Sequence, residues 1–380
     1  MSQSVLPQSI KELQHLLWTA ADSDYPVYVY REGPQDGVII DLSKLNEIIE
    51  IDPANLVATV EPGVKLGALA KKLAEQGLRF IPADTLFYQD KTVGELFYEG
   101  CSTISSLKYG CTKHFLMGSE VVLPSGEILK TGGKTVKNVT GYDFTRFFNA
   151  PYTDFGITAK YLLKLLPVPE TRKSVSVSFK GIAELLAFIK DLKASHIVPA
   201  YLLWVDLGEQ SVFRTDSSGQ LVMMEFDGLS EEVSEQWKNT EIFIKKYKGA
   251  IYEVSDGCSE MASKWSCLYR TTDKYVLTEE IKMPFTAQGE FYKIFYEKAK
   301  ASRVKASLFG QLAEGKLNIV FAENYPQDTF IENIIEAVEQ AGGVSSGKYG
   351  RLTGKRPAGI LAELEHRAKI ALDPKMILNR

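Results

Sequence analysis

The sequence predicts an α+β protein of two domains, and three observations support this fold class. The chain has 380 residues, enough for two domains at the usual size of roughly 100–200 residues each. Along the chain, β-branched runs alternate with amphipathic segments of helical period, and hairpin turns separate some of the strands. Pro167 and Pro169 end one of these strands, so they mark the predicted domain boundary.

The first domain begins with a helix predicted at residues 9–20, because Ile10, Leu13 and Leu17 recur at helical spacing. The other predicted elements of this domain are strands at 27–30, 38–42, 56–60 and 157–166, a helix at 66–75, and a hairpin with strands at 119–123 and 127–130.

The second domain has a β-α-β rhythm with hairpins mixed in, which predicts a sheet with helices on one face. Its predicted strands are 174–179, 200–205, 221–226, 251–254, 306–311 and 317–322. Its predicted helices are 182–193, 231–248, 289–301 and 329–340. A last helix is predicted at 358–372, directly before Asp373 and Pro374.

Composition and charge argue against several functional classes. The net charge of −4 and the pI of about 5.8 argue against a protein that holds nucleic acid. No GxGxxG or GxxxxGK[ST] motif is present, so a Rossmann nucleotide site and a phosphate-binding P-loop are not expected. The four histidines are scattered and the cysteines lack zinc spacing, so we expect no metal site.

The N-terminus has neither the basic start nor the apolar run of a signal peptide. No apolar stretch approaches the roughly 20 residues that cross a bilayer, so no transmembrane segment is expected. We therefore expect a cytoplasmic protein that reaches a membrane surface only through a partner.

Residues 132–156 are the most informative stretch for a binding site. Gly141 allows a bend, and Asn138, Tyr142 and Asp143 place polar groups beside an aromatic helix start. Asp143 is predicted to cap that helix. The residue types alone leave open whether this stretch forms a binding site or an ordinary buried loop–helix junction.

Seven segments of the chain resemble, in the same order, the FAD-binding subunit of bacterial glycolate oxidase. That family is part of the vanillyl-alcohol-oxidase or PCMH-type superfamily of FAD-linked oxidoreductases. The segments are 60–64, 107–110, 121–127, 134–143, 155–158, 165–169 and 371–379, of which 134–143 reads KTVKNVTGYD. The resemblance is clear over residues 38–170 and 360–380.

The resemblance implies a PCMH-type FAD-binding domain of two α+β subdomains at 1–170 and an α+β, ferredoxin-like cap domain at 171–350. Residues 351–380 would return to the first domain. The implied activity is oxidation of a small 2-hydroxy acid, such as glycolate or lactate, by hydride transfer to flavin. The implied partners are another flavoprotein subunit and an iron–sulfur subunit. The residues that the resemblance assigns to the cofactor are Val93, Gly94, Tyr109, Asn138, Tyr142, Asp143, Gly156 and Ile157, whereas it assigns no catalytic residue.

Several positions depart from the family pattern. The connection 31–37 is short and carries Glu32 and Asp36 where a diphosphate needs N–H donors. Glu95 stands where the family has a glycine, so its side chain is expected to project toward the cofactor. The turn 149–154 lacks the family's glycine, and the hairpin 308–317 lacks its histidine. These departures support an alternative function, a non-catalytic structural or assembly subunit whose FAD binding is weakened or lost.

A third hypothesis concerns the basic residues around the expected cleft. They are Lys108, Lys113, Lys134, Lys137 and Arg146. Such a cluster binds an anionic ligand or forms a solvated basic face, and the sequence leaves both open.

Overall fold

The structure is a computed structural model that describes residues 3–30, 37–84, 88–100, 103–135, 141–151, 154–208, 219–256, 276–322, 328–345 and 360–379. The chain divides into two compact units. The first unit consists of Met1–Thr103, Gly110–Val168 and Pro357–Arg380, and the second of Ile104–Tyr109 and Pro169–Arg356.

The strands are β1 Gln3–Val5, β2 Val27–Val29, β3 Val38–Ile40, β4 Ile48–Asp52, β5 Val57–Val60, β6 Leu78–Arg79, β7 Leu116–Val122, β8 Ile128–Gly132, β9 Ile157–Lys164, β10 Leu166–Pro167, β11 Thr171–Phe179, β12 Tyr201–Leu207, β13 Gly219–Gly228, β14 Ala250–Asp256, β15 Val276–Lys282, β16 Ala306–Gln311, β17 Lys316–Phe321 and β18 Val344–Ser345.

The helices are α1 Ile10–Ser23, α2 Leu66–Ala74, α3 Val93–Tyr98, α4 Ser106–Tyr109, α5 Phe144–Phe148, α6 Ile182–Ala194, α7 Ser230–Lys246, α8 Gln288–Ala301, α9 Asp328–Gln340 and α10 Ile360–Leu372. Within the described ranges, every helix is too short or too polar to cross a membrane.

The described residues of the first unit form three sheets. A parallel sheet has the order β1-β3-β2, and an antiparallel sheet has the order β4-β5-β9-β7-β8. The short strands β6 and β10 form the third sheet. Helix α1 begins after Ser9, whose side chain accepts a hydrogen bond from the Glu12 amide. Its buried residues Leu13 and Leu17 pack into the same core as Val27 and Ile157.

The C-terminal segment packs against β2 in the first unit. The Val27 amide donates to the Ile377 carbonyl at 2.8 Å, and the Val29 amide donates to Oδ1 of Asn379 at 3.0 Å. Ile377 and Leu378 are each 1% exposed and belong to the core of this unit. The C-terminal residues therefore complete the parallel sheet on the side of β2.

The second unit is built on an antiparallel eight-stranded sheet of order β14-β11-β13-β12-β16-β17-β15-β18. The chain order β11-α6-β12-β13-α7-β14 is followed by the same order in β15-α8-β16-β17-α9-β18. Each half is a split β-α-β, or ferredoxin-like, arrangement, and the two halves meet where β12 pairs with β16. The predicted ferredoxin-like topology therefore occurs twice.

Both faces of the central strands are buried. The larger core contains Phe188, Phe295 and Trp204 among its residues and includes side chains of the helices. A smaller cluster on the same sheet contains Leu203, Val205 and Met223, which alternate in sequence with residues of the larger core. Since successive side chains of a strand point to opposite faces, these two cores lie on opposite sides of the sheet.

The strand predicted at 157–166 is interrupted. Strand β9 ends at Lys164, and the Leu165 amide donates to the carbonyl of Leu56 at 2.8 Å. Leu166 and Pro167 then pair with β6 as a separate short strand. Proline is accommodated because this strand lies in a two-stranded sheet, where its missing N–H can face away from the partner strand.

Candidate functional site

A small cavity in the first unit brings several of the predicted cofactor residues together. Gly156 and Ile157 line it at the start of β9, and the rest of its wall comes from the end of β2, from α3, from residues 148–150 and from Leu378 and Asn379. Its interior volume is about 30 Å³. Val93 and Gly94 form the start of α3, so four of the eight predicted residues lie in or next to this wall.

The phenol of Tyr30 lines this cavity beside α3. Its ring lies against the ring of Tyr98, with 5.0 Å between the centroids. A Cβ atom added to Gly94 would lie 1.9 Å from Oη of Tyr30. The rings of Phe97 and Tyr161 also line the cavity and stack with 5.0 Å between their centroids. The Tyr30 hydroxyl therefore occupies the position that a side chain on residue 94 would need.

Gly94→Ala is expected to lower the free energy of unfolding by about 1 to 3 kcal/mol, because the new methyl group overlaps the Tyr30 hydroxyl. The measurement is urea unfolding followed by circular dichroism. Gly133→Ala is the matched control, since a Cβ at Gly133 meets no atom within 4 Å. Equal losses for the two variants would contradict the contact between Tyr30 and Gly94.

Glu95 has a role that the sequence analysis did not assign. Its carboxylate accepts a hydrogen bond from the Thr92 amide at 2.7 Å, and the Thr92 hydroxyl accepts one from the Glu95 amide at 3.2 Å. This is a capping box at the start of α3. The side chain thus folds back onto the helix start. The expectation that it projects toward the cofactor is wrong. The spacing of Thr92 and Glu95 is the signal that could have revealed this.

Packing also explains Gly156 and Asn149. A Cβ on Gly156 would lie 2.6 Å from Cγ1 of Val121, so β7 requires a glycine here whether or not a ligand is bound. The Asn149 amide nitrogen donates to Ser119 and to the Thr145 carbonyl, and its oxygen accepts from Thr158 at 2.8 Å. The polar groups of the Asn149 side chain are therefore engaged within the protein.

Tyr142 and Asp143 lie at a different place in the first unit. Asp143 caps α5, as predicted, by accepting a hydrogen bond from the Arg146 amide at 3.0 Å. Tyr142 is 89% exposed. Both residues line an open cleft of about 480 Å³, together with His114 and Lys164. Asn138, the remaining predicted residue of this stretch, lies outside the described residues.

The basic residues of the third hypothesis are dispersed. Lys134 forms ion pairs with Glu50 at 2.7 Å and Asp52 at 3.3 Å, so its charge is paired within the protein. Arg146 lines the open cleft and pairs with Asp143 at 3.3 Å. Lys137 lies outside the described residues.

His114 lies among the cations of the open cleft. Partial burial, followed by the positive charges of Arg146, Lys113 and Lys164, lowers the pKa of His114. The cleft therefore has positive potential on this side.

Lys108 and Tyr109 belong to the second unit. Nζ of Lys108 lies 2.7 Å from Oδ1 of Asp227, and the Tyr109 hydroxyl donates to the same oxygen at 2.6 Å. Burial alone would lower the pKa of Lys108, but Asp227 and Tyr109 outweigh it and raise the pKa. Asp227 was not among the predicted site residues, although the spacing of Glu225 and Asp227, two residues apart within an apolar strand, is a signal for it.

Two models of known protein families match the chain. A family model described as an FAD binding domain matches residues 2–132, and one described as FAD linked oxidases, C-terminal domain, matches residues 168–380. The second match covers more than half of the chain. The chain belongs to the FAD-linked oxidase family. This confirms the resemblance found in the sequence.

Two relatives of the family are similar along most of the chain. The glycolate oxidase subunit GlcD of Bacillus subtilis is 27% identical over 413 residues, covering 99% of this chain and 87% of the relative. The D-lactate dehydrogenase of Anaerostipes hadrus is 27% identical over 379 residues, covering 90% of this chain and 79% of the relative. Among solved structures, p-cresol methylhydroxylase with substrate bound has a TM-score of 0.68 at 17% identity, covering 99% of this chain and 87% of that one. This likeness confirms the predicted PCMH-type α+β fold.

FAD is the cofactor of this family, so the family-level expectation of FAD is confirmed. The volume of the cavity at Gly156 shows whether this cofactor fits there. A cavity of about 30 Å³ holds about two water molecules, whereas sites for cofactors and other small molecules span roughly 300–1,000 Å³. With Tyr30 in place, the described residues around Gly94 and Gly156 do not fit FAD. The connection 31–36 lies outside the described residues.

Proposed function

We propose that the protein is a subunit of a glycolate-oxidase-like, FAD-linked enzyme that oxidises a small 2-hydroxy acid of the glycolate or lactate type. The observation that carries this proposal is the match of 99% of the chain to the glycolate oxidase subunit of Bacillus subtilis. The similarity to a D-lactate dehydrogenase supports the same substrate class, because glycolate and lactate are both 2-hydroxy acids.

For the role of this subunit, the geometry favours assembly over catalysis. The small volume of the cavity at Gly156 and the phenol of Tyr30 in its wall support a chain that keeps the family fold while a partner carries the flavin. In this proposal the partners are a second flavoprotein subunit and an iron–sulfur subunit.

The second candidate is a chain that binds FAD itself and oxidises the 2-hydroxy acid. The match of the FAD-binding family model to residues 2–132 favours it. The two candidates differ in where the flavin is bound, so they can be separated by composition and activity.

The test is purification of the tagged chain from the cells that produce it, alone and with its co-purifying proteins. We expect the assembly to contain flavin and to reduce a dye with glycolate or D-lactate, and the isolated chain to be flavin-free and inactive. An isolated chain that carries FAD and turns over either acid would establish the second candidate. An assembly that oxidises neither acid would contradict the substrate class.

A further inference from the structure

Tyr30 has a backbone conformation that tyrosine rarely adopts. Its φ is 59°, in the left-handed region, where a bulky side chain crowds the backbone. Such a conformation persists where the surrounding structure holds the residue in place. The position of this phenol is therefore determined by its neighbours and not by local preference.

The neighbours that hold Tyr30 come from α3. The ring of Tyr98 lies tilted against the ring of Tyr30, and Gly94 provides the notch into which the Tyr30 hydroxyl fits. The capping box of Thr92 and Glu95 fixes the start of this helix, and therefore also the position of the notch. The Tyr30 side chain and helix α3 are thus complementary in shape.

The hydroxyl of Tyr30 is buried next to Tyr161. Its oxygen is buried and lacks a hydrogen-bond partner of acceptable geometry in the described part of the chain. Burial, followed by Tyr161 and Glu95, raises the pKa of Tyr30 well above its usual value, so the phenol stays neutral. This hydroxyl faces Gly94, one of the residues that the resemblance assigns to the cofactor.

We propose that Tyr30 closes the cofactor cavity: its side chain occupies the space through which FAD would approach Gly94 and Gly156, and so excludes FAD from this chain. The strained backbone, the notch at Gly94 and the small remaining volume support this inference. It rests on the assembly role in the proposed function and deepens it, because it assigns the exclusion of the cofactor to one side chain.

Tyr30→Gly should open the cavity. Glycine adopts a φ of 59° without strain, so the variant removes the ring and keeps the backbone. If the open form makes up at most about a tenth of wild-type molecules, the apparent Kd for FAD should tighten at least about tenfold. Tyr30→Phe is the matched control, because it keeps the ring and should bind FAD no better than wild type.

The experiment titrates FAD into wild type and both variants and follows quenching of flavin fluorescence, with the rise in Tm as a second readout. The expected result is binding by Tyr30→Gly alone. Equal affinity of wild type and a folded Tyr30→Gly would overturn the proposal, whether both bind FAD or neither does. Because substrate oxidation is not measured, this outcome does not depend on which acid the enzyme oxidises, so a failure of the Tyr30 proposal is distinguishable from a failure of the proposed substrate class.

If Tyr30→Gly does not fold, a second measurement tests whether the Tyr30 side chain is buried in the cavity wall. Wild type and Tyr30→Phe are titrated with base, and tyrosinate formation is followed by ultraviolet absorbance. With Tyr30 buried, the two curves should coincide through about pH 10, where exposed tyrosines ionise. A wild-type curve that exceeds the variant curve by one tyrosine in this range would place Tyr30 in solvent and overturn the proposal.

Discussion

Asp373→Ala is expected to release the C-terminal segment from the first unit and to lower the free energy of unfolding by about 3 to 5 kcal/mol. The carboxylate of Asp373 is buried and accepts hydrogen bonds from the Ile377 and Leu378 amides at 3.0 and 2.9 Å. It also forms an ion pair with buried Lys369 at 2.7 Å. The substitution leaves a buried cation and two amides without this acceptor, and this explains the large effect.

Urea unfolding measures the loss of stability, and hydrogen exchange measures the release of the C-terminal segment. The amides of Val27 and Val29, which donate to residues of the C-terminal segment, should lose protection. Glu363→Gln is the control on the same helix, since Glu363 is exposed and pairs with exposed Arg367. Unchanged protection at β2 in Asp373→Ala would contradict the anchoring role of Asp373.

Asp227→Ala is expected to destabilise the second unit and to lower the free energy of unfolding by about 2 to 4 kcal/mol. The side chain of Asp227 is 1% exposed and is contacted by Lys108 and Tyr109. Its removal leaves a partly buried cation and a phenol without this acceptor. The expected magnitude is smaller than for Asp373 because Lys108 is 25% exposed.

The chain offers a chemically matched control for this prediction. Asp191 also contacts a lysine and a tyrosine, Lys246 at 2.6 Å and Tyr247 at 2.7 Å, but at the surface. Asp191→Ala should therefore reduce stability much less, as measured by the midpoint of urea unfolding. Equal shifts for the two variants would show that burial of Asp227 is not what makes its contacts strong.

Local structure was predictable where one short segment determines it. The apolar spacing after Ser9 predicts α1, which is observed at Ile10–Ser23. Asp143 was identified as a cap from its position before an aromatic helix, and it caps α5. In each case the residues that decide the structure are neighbours in sequence.

Features that depend on distant residues were not predictable from local pattern. Strand β4 was missed because its burial pattern does not alternate, and its partner β5 decides its pairing. The two ferredoxin-like halves share topology without a visible sequence repeat, since many sequences fill the same layers. Likewise, the spacing around Gly94 resembles a cofactor loop, and only the fold reveals that Tyr30 occupies the space beside it.

The most direct test of the closed cavity is the visible spectrum of the wild-type chain after incubation with excess FAD and removal of free cofactor. The geometry at Tyr30 predicts a spectrum without flavin bands. Retention of FAD in a one-to-one ratio with the protein would contradict the closed cavity.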